Sequence, residues 1–187
     1  MSACSRLLSR IRGGAARVAG LLMPLVLLSA SGAAHAQIHP WTTAASVGVV
    51  DEADTGIVEF INGEARVRAT AAAGSVLNLR YNVVSLQGFA GPGTYIYRTR
   101  FLDNGPGARV QVALTRYRVG FAPSALHTID SNAYPAQVGY QTQQHCIVVD
   151  WNFVDSVYYI EATLTKSAAD GQPALATIQL IPGQCTG

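Results

Sequence analysis

The sequence predicts an all-β protein: a single antiparallel β-sandwich, jelly-roll-like, with about nine strands. Three observations predict it. Apolar and polar residues alternate with a period of two in several stretches. Clusters of Gly, Pro, Asn and Asp separate those stretches. No helical period persists beyond residue 37. Many short, turn-bounded strands in one chain make an antiparallel sandwich or barrel, and an immunoglobulin-like strand order stays open beside the jelly roll.

The elements follow in order. Residues 37–56 are a loose arm or a first strand (ASVGVV). GIVEFINGEARVRA (56–69) sets two apolar runs around Asn62-Gly63, a strong hairpin signal. SVLNLRYNVV (75–84) puts Leu77, Leu79, Tyr81 and Val83 on one face. Gly91-Pro92-Gly93 reads as a turn, and YIYRTRFL (95–102) as a strand leading into the turn DNGPG (103–107). ARVQVALTRYRV (108–119) alternates Val110, Val112 and Leu114 against Gln111, Ala113 and Thr115. Weaker strands follow near 126–129, 138–142 and 147–149. SVYYIEATLTK (156–166) is a strong strand, SAADGQP (167–173) a turn and ALATIQLI (174–181) the last strand.

The ends carry a different signal. Arg6, Arg10, Arg12 and Arg17 precede an 11-residue apolar run, Val18 to Leu28, and then Ala34-His35-Ala36. That is the pattern of a secretory signal peptide cleaved after Ala36. The run is too short to span a membrane, which takes about 20 residues. The expected organisation is therefore a signal peptide over 1–36 and one domain over 37–187, secreted or periplasmic. Four of the 13 basic residues fall in the leader and all 11 acidic ones beyond it, so nine face eleven and the mature chain is slightly acidic. That balance gives no support for nucleic-acid binding. The mature chain keeps Cys146 and Cys185, which in an oxidising compartment read as a disulfide. A loop of that length gives about 4 kcal/mol in the chain-entropy model.

RYNVVSLQG, RFLDNGPGARVQVALTRYRV, DWNFVDSVYYIEATLTKS and PALATIQL together resemble a group of small secreted bacterial β-sandwich proteins with no assigned activity. The resemblance implies the fold and export and transfers no site residue.

Candidate chemistry is sparse. Along 157–166 the even positions make a core face, and Tyr159 and Glu161 share the wet one. An aromatic beside a carboxylate on a solvent face can stack a sugar ring and bind its hydroxyls. Trp151 is a candidate partner, although a tryptophan at a strand end also caps a core. The competing reading is an ordinary strand with an exposed tyrosine. Arg66, Arg68, Arg80, Arg98, Arg100, Arg116 and Arg118 lie on predicted strands. In one sheet they would form a basic ladder, led by Arg98 and Arg100, for an acidic polymer. Otherwise they pair with Glu59, Glu64, Glu161 and Asp103. Asp51 and Asp54, with Asp103, could offer oxygens to calcium, but the spacing is not an EF-hand and a solvated acidic turn competes. The histidines His39, His127 and His145 lack zinc spacing, and no nucleophile elbow or phosphate loop is present. Asp150, Asp155 and Glu161 are glycosidase carboxylates by residue type alone. The sequence expectation is an exported, non-catalytic binder of carbohydrate or another surface polymer, with no cofactor and no membrane span. The alternatives are a structural or adhesive protein that self-associates through sheet edges, and a hydrolase on the same scaffold.

Overall fold

The computed structural model describes residues 39–86 and 89–183. The expected signal peptide and Cys185 lie outside the described residues. Eleven strands form: β1 (Trp41–Ala44), β2 (Val49–Val50), β3 (Val58–Ile61), β4 (Glu64–Val67), β5 (Ser75–Val83), β6 (Gly91–Leu102), β7 (Ala108–Arg118), β8 (Ser124–Asp130), β9 (Gln141–Trp151), β10 (Ser156–Lys166) and β11 (Ala174–Pro182). The first sheet has the order β3-β4-β11-β6-β9, with β1 also on β11, and the second has the order β2-β5-β10-β7-β8. Every pairing is antiparallel. From β4 onward, β4-β11-β6-β9 faces β5-β10-β7-β8, the strand order of a jelly roll.

Alternation builds the core. Tyr158, Ile160, Ala162 and Leu164 of β10 are buried, and they register with Val83, Tyr81, Leu79 and Leu77 of β5. On the other side they meet β7, where Val110, Val112 and Leu114 are buried. The first sheet answers with Tyr95, Tyr97, Phe101, Ile147, Val149, Ile178 and Leu180. At one end Phe89, Tyr95, Trp151, Phe153 and Tyr158 make an aromatic cluster, with ring centroids 4.6–5.6 Å apart. The Tyr158 hydroxyl accepts from Asn152 N–H at 2.9 Å and donates to Asp150 C=O at 3.1 Å, which pins the β9–β10 turn to the core.

Several expectations need correction. Gly91-Pro92-Gly93 is the first part of β6, paired with Asp150 and its neighbours on β9. Glycine is required at 93 because a Cβ there would sit 2.8 Å from the Tyr95 hydroxyl, and the Tyr95 ring folds back over the strand. The weak strands expected near 138–142 and 147–149 become one strand, β9, which starts only at Gln141 and leaves Val138 exposed outside it. Its middle is polar because His145 and Gln143 face inward beside an open edge. ASVGVV splits into a 3-10 turn, Ala45–Val47, and the two-residue β2. Tyr81 holds that turn through its hydroxyl, which donates to Ala45 C=O at 2.9 Å. The hairpin at Asn62-Gly63 forms as expected, with both residues at positive φ.

Trp151 is 3% exposed and packs on four aromatic rings. Trp151→Ala should therefore lower the unfolding free energy by about 3–5 kcal/mol. A urea titration measures this, and a midpoint equal to that of the wild type would show that the indole carries no packing.

Candidate functional site

The period that fills the core also sorts the outer faces. On the second sheet the outward positions of β5, β10, β7 and β8 line up in rows. Asn82, Tyr159 and Thr115 form one row, and Arg80, Glu161, Ala113 and Thr128 the next. Asn78, Thr163, Gln111 and Asp130 form a third. Tyr159 is half-buried among these small and polar neighbours. Tyr117, one row further on, pairs with Val157.

Hydrogen bonds and ion pairs fix this face. Arg80 lies 3.6 Å from Glu161. Arg109 grips Asp130 with two bonds, Nε to Oδ1 at 3.1 Å and Nη2 to Oδ2 at 2.5 Å, and Gln111 donates to Oδ2 at 3.1 Å. These bonds, Arg109 first, hold the Asp130 pKa below the usual carboxylate value. Thr163 donates to Asn78 Oδ1 at 3.2 Å, and Asp54 accepts from both Asn78 N–H at 2.8 Å and its side-chain amide at 3.2 Å. Burial, and then the Glu161 charge, push the Tyr159 phenol up, so it stays a neutral hydroxyl. A shallow hollow of about 210 Å³ opens beside Arg80 at the β2 edge, lined by Val49, Asp51, Glu52 and Asn78.

The structure divides the sequence-predicted site. Tyr159 and Glu161 share this face, two positions apart on β10. Trp151 does not join them, because it belongs to the other sheet and points into the core. Arg98 and Arg100 lie on β6 and face outward from the first sheet, the opposite side of the sandwich. The basic ladder is thus split between the sheets. Arg66 pairs with Glu64 and Arg118 with Asp155, while Arg68 donates to Val58 C=O. Asp103 is buried and accepts from Gly105 N–H at 3.0 Å, so its carboxylate closes its own turn. It does not join Asp51 and Asp54: among the described residues no three His, Cys, Asp or Glu side chains gather as metal ligands. Asp150 is exposed on the first sheet, whereas Glu161 is on the second and Asp155 is held by Arg118 and Ser156 in the β9–β10 turn. Among the described residues no helix is long and apolar enough to cross a membrane.

One constellation escaped sequence reasoning. His127 of β8 and His145 of β9 come from different sheets, and their Nε2 and Nδ1 atoms lie 2.5 Å apart. The Tyr134 hydroxyl shares a hydrogen bond with the far nitrogen of His145, also at 2.5 Å. The Tyr97 ring stands edge-on to His127, 5.9 Å away. The chain bridges the two sheets at the seam between their edge strands. Eighteen residues separate the histidines, so no local spacing could have revealed them.

No family model and no curated protein matches the chain. Among solved structures it is similar to the C-terminal CBM6 of a marine laminarinase from Zobellia galactanivorans, with 14% identity, 76% of this chain and 99% of that one covered, and a TM-score of 0.47. It is similar to the CBM36-1 domain of a multidomain xylanase from the hindgut metagenome of Trinervitermes trinervoides, with 14% identity, 80% and 100% covered, and a TM-score of 0.45. It is also similar to the N-terminal cellulose-binding domain of Cellulomonas fimi β-1,4-glucanase C, with 11% identity, 79% and 90% covered, and a TM-score of 0.47.

The histidine seam generates a pH prediction. The His127 pKa lies below the ordinary value, first because burial disfavours the imidazolium and second because His145 repels it. An unfolded histidine titrates near 6.5, so just below that pH the unfolded chain binds more protons than the folded one. Stability is full above that value and is lost as pH falls through the lower folded pKa. The urea midpoint should drop between about pH 7 and pH 5, and the drop should shrink in His127→Gln. A midpoint that stays level, or a slope unchanged by the substitution, would contradict the assignment.

Proposed function

We propose that this chain is an exported carbohydrate-binding protein whose binding face is the outer surface of the second sheet. One observation carries the reading. The Tyr159 ring sits half-buried in the middle strand, among side chains that donate and accept hydrogen bonds. A pyranose ring has an apolar face and a rim of hydroxyls. Tyr159 supplies a platform for the face. Asn82, Arg80, Glu161 and Gln111 supply partners for the rim. The Arg80–Glu161 and Arg109–Asp130 pairs hold those partners in place before a ligand arrives and so reduce the ordering that binding costs. Arg80 and Arg109 of this face are each paired with a carboxylate, which suits an uncharged glycan.

Affinity electrophoresis through gels containing soluble neutral polysaccharides tests the reading. The wild type should be retarded by at least one polymer. Tyr159→Ala should weaken that binding by about tenfold, ~1.4 kcal/mol, and Glu161→Gln by less. Migration unaffected by every neutral polymer, or a Tyr159→Ala variant retarded as strongly as the wild type, would remove this face as the site.

Export enters the same proposal through a leader removed after Ala36 and a Cys146–Cys185 bridge. Register supports the bridge. Cys146 is directly beside Ile96, and Ile96 is directly beside Ile181 near the end of β11. The chain that continues toward Cys185 therefore leaves two strands away from Cys146. Exported protein should begin at Gln37, and under denaturing conditions it should take up a thiol label only after reduction. Labelling without reductant would count against the bridge.

A further inference from the structure

We propose that the outer face of the first sheet is a second binding surface, for the carboxylates of an acidic polysaccharide, with Arg98 and Arg100 as its anion-gripping residues. This surface is separate from the neutral-glycan face and stands or falls independently of it.

The argument starts from the distribution of charge. On the second sheet Arg80, Arg109 and Arg118 each face a carboxylate, and exposed Arg116 at the end of β7 is the exception among the described residues. Among the described residues Arg98 and Arg100 have no ion pair, although the mature chain has more acidic than basic groups. The nearby Glu64 is already engaged by Arg66. The rows around them are neutral. Gln179, Arg98 and Gln144 form one row, and Thr177, Arg100 and Thr142 the next, with Thr42 of β1 beside Gln179.

The arginines are also oriented. Arg98 donates from Nε at 3.0 Å and from Nη2 at 2.8 Å to Gln144 Oε1, and from Nη1 at 3.5 Å to Gln179 Oε1. A guanidinium has five N–H donors, so these three contacts leave one on each terminal nitrogen. The Arg100 guanidinium lies over the Tyr140 ring, 5.6 Å from its centroid, and makes no hydrogen bond among the described residues. A guanidinium stacked on an aromatic keeps its edge free for the two parallel bonds that carboxylates accept.

Geometry then selects the ligand. The two residues are two positions apart on one strand, about 6.8 Å along it. On an open strand face that spacing suits two anions of a repeating chain. The surface is an open sheet face rather than a closed pocket, so an extended polymer can lie across it. The threonine and glutamine rows provide hydroxyl and amide partners for the sugar rings between the acids.

Affinity electrophoresis with polygalacturonate, neutral dextran and a single-stranded oligonucleotide tests the proposal on the mature protein. Polygalacturonate should retard the wild type in low salt, and added sodium chloride should release it. The double variant Arg98→Gln/Arg100→Gln should bind at least about tenfold more weakly, with an unchanged circular dichroism spectrum and urea midpoint. Arg100→Lys should also lose affinity, because it keeps the charge but not the two-bond edge. Tyr159→Ala should bind polygalacturonate as the wild type does. The proposal is overturned if polygalacturonate gives no retardation in low salt, if the folded double variant retains its affinity, if Arg100→Lys binds fully, or if the oligonucleotide is held as tightly as the polyuronate. Loss of polygalacturonate binding in Tyr159→Ala would move the acidic ligand to the other face and overturn it equally.

Discussion

The structure depends on β10. It lies between β5 and β7 and is paired with both along nearly its whole length, so its side chains can go only inward or outward. Its even positions close the core, and its odd positions make the middle row of the outer face. A slip of one residue in register would exchange the two sets, sending Ile160 and Leu164 into water and Glu161 beneath the sheet. The burial of four apolar side chains therefore also places Tyr159 and Glu161. Core and candidate site are two products of one constraint.

The two outer faces use the same backbone geometry for different electrostatics. On the second sheet, Arg80 and Arg109 sit beside carboxylates of adjacent strands and are cancelled locally. Cross-strand neighbours of opposite charge stabilise a sheet modestly, and when half-exposed they contribute mainly by fixing side-chain directions. On the first sheet the amides of Gln144 and Gln179 orient Arg98 and the Tyr140 ring orients Arg100, and neither neutralises a guanidinium. The difference is one of partners rather than of arginine content. Where the sheets' edge strands meet, a third arrangement appears in the Tyr134–His145–His127 chain, which satisfies polar groups that an open seam would otherwise leave half-buried.

Much of the fold was legible in the sequence because it is encoded locally. Leu77, Leu79, Tyr81 and Val83 announce their face through a period of two, and Asn62-Gly63 announces its turn through the positive φ that both residues adopt. The polar strand β9 was only half legible, since Gln143 and His145 interrupt the apolar pattern at a sheet edge. Gly91-Pro92-Gly93 has turn composition, yet it extends a strand by pairing with β9, and the glycine at 93 leaves room for the Tyr95 ring. Sequence alternation put Tyr159 and Glu161 on one outward face, where the structure has them. It could not tell that Trp151 faces the other way or that Arg80 and Arg98 belong to opposite surfaces, because those facts depend on which strands are neighbours. The histidine seam was illegible for the same reason.

The jelly-roll order has a cost in time. β4 lies beside β11, and β5 beside β10, so the first strands made are completed by the last. Of the connections from β4 onward, only β7–β8 joins two neighbours within one sheet. No early stretch of the chain can shield its own apolar side chains, and distant pairings form slowly because loop closure precedes any gain from contact. The nascent polypeptide must therefore be kept from sticking to its neighbours until its final strand has emerged.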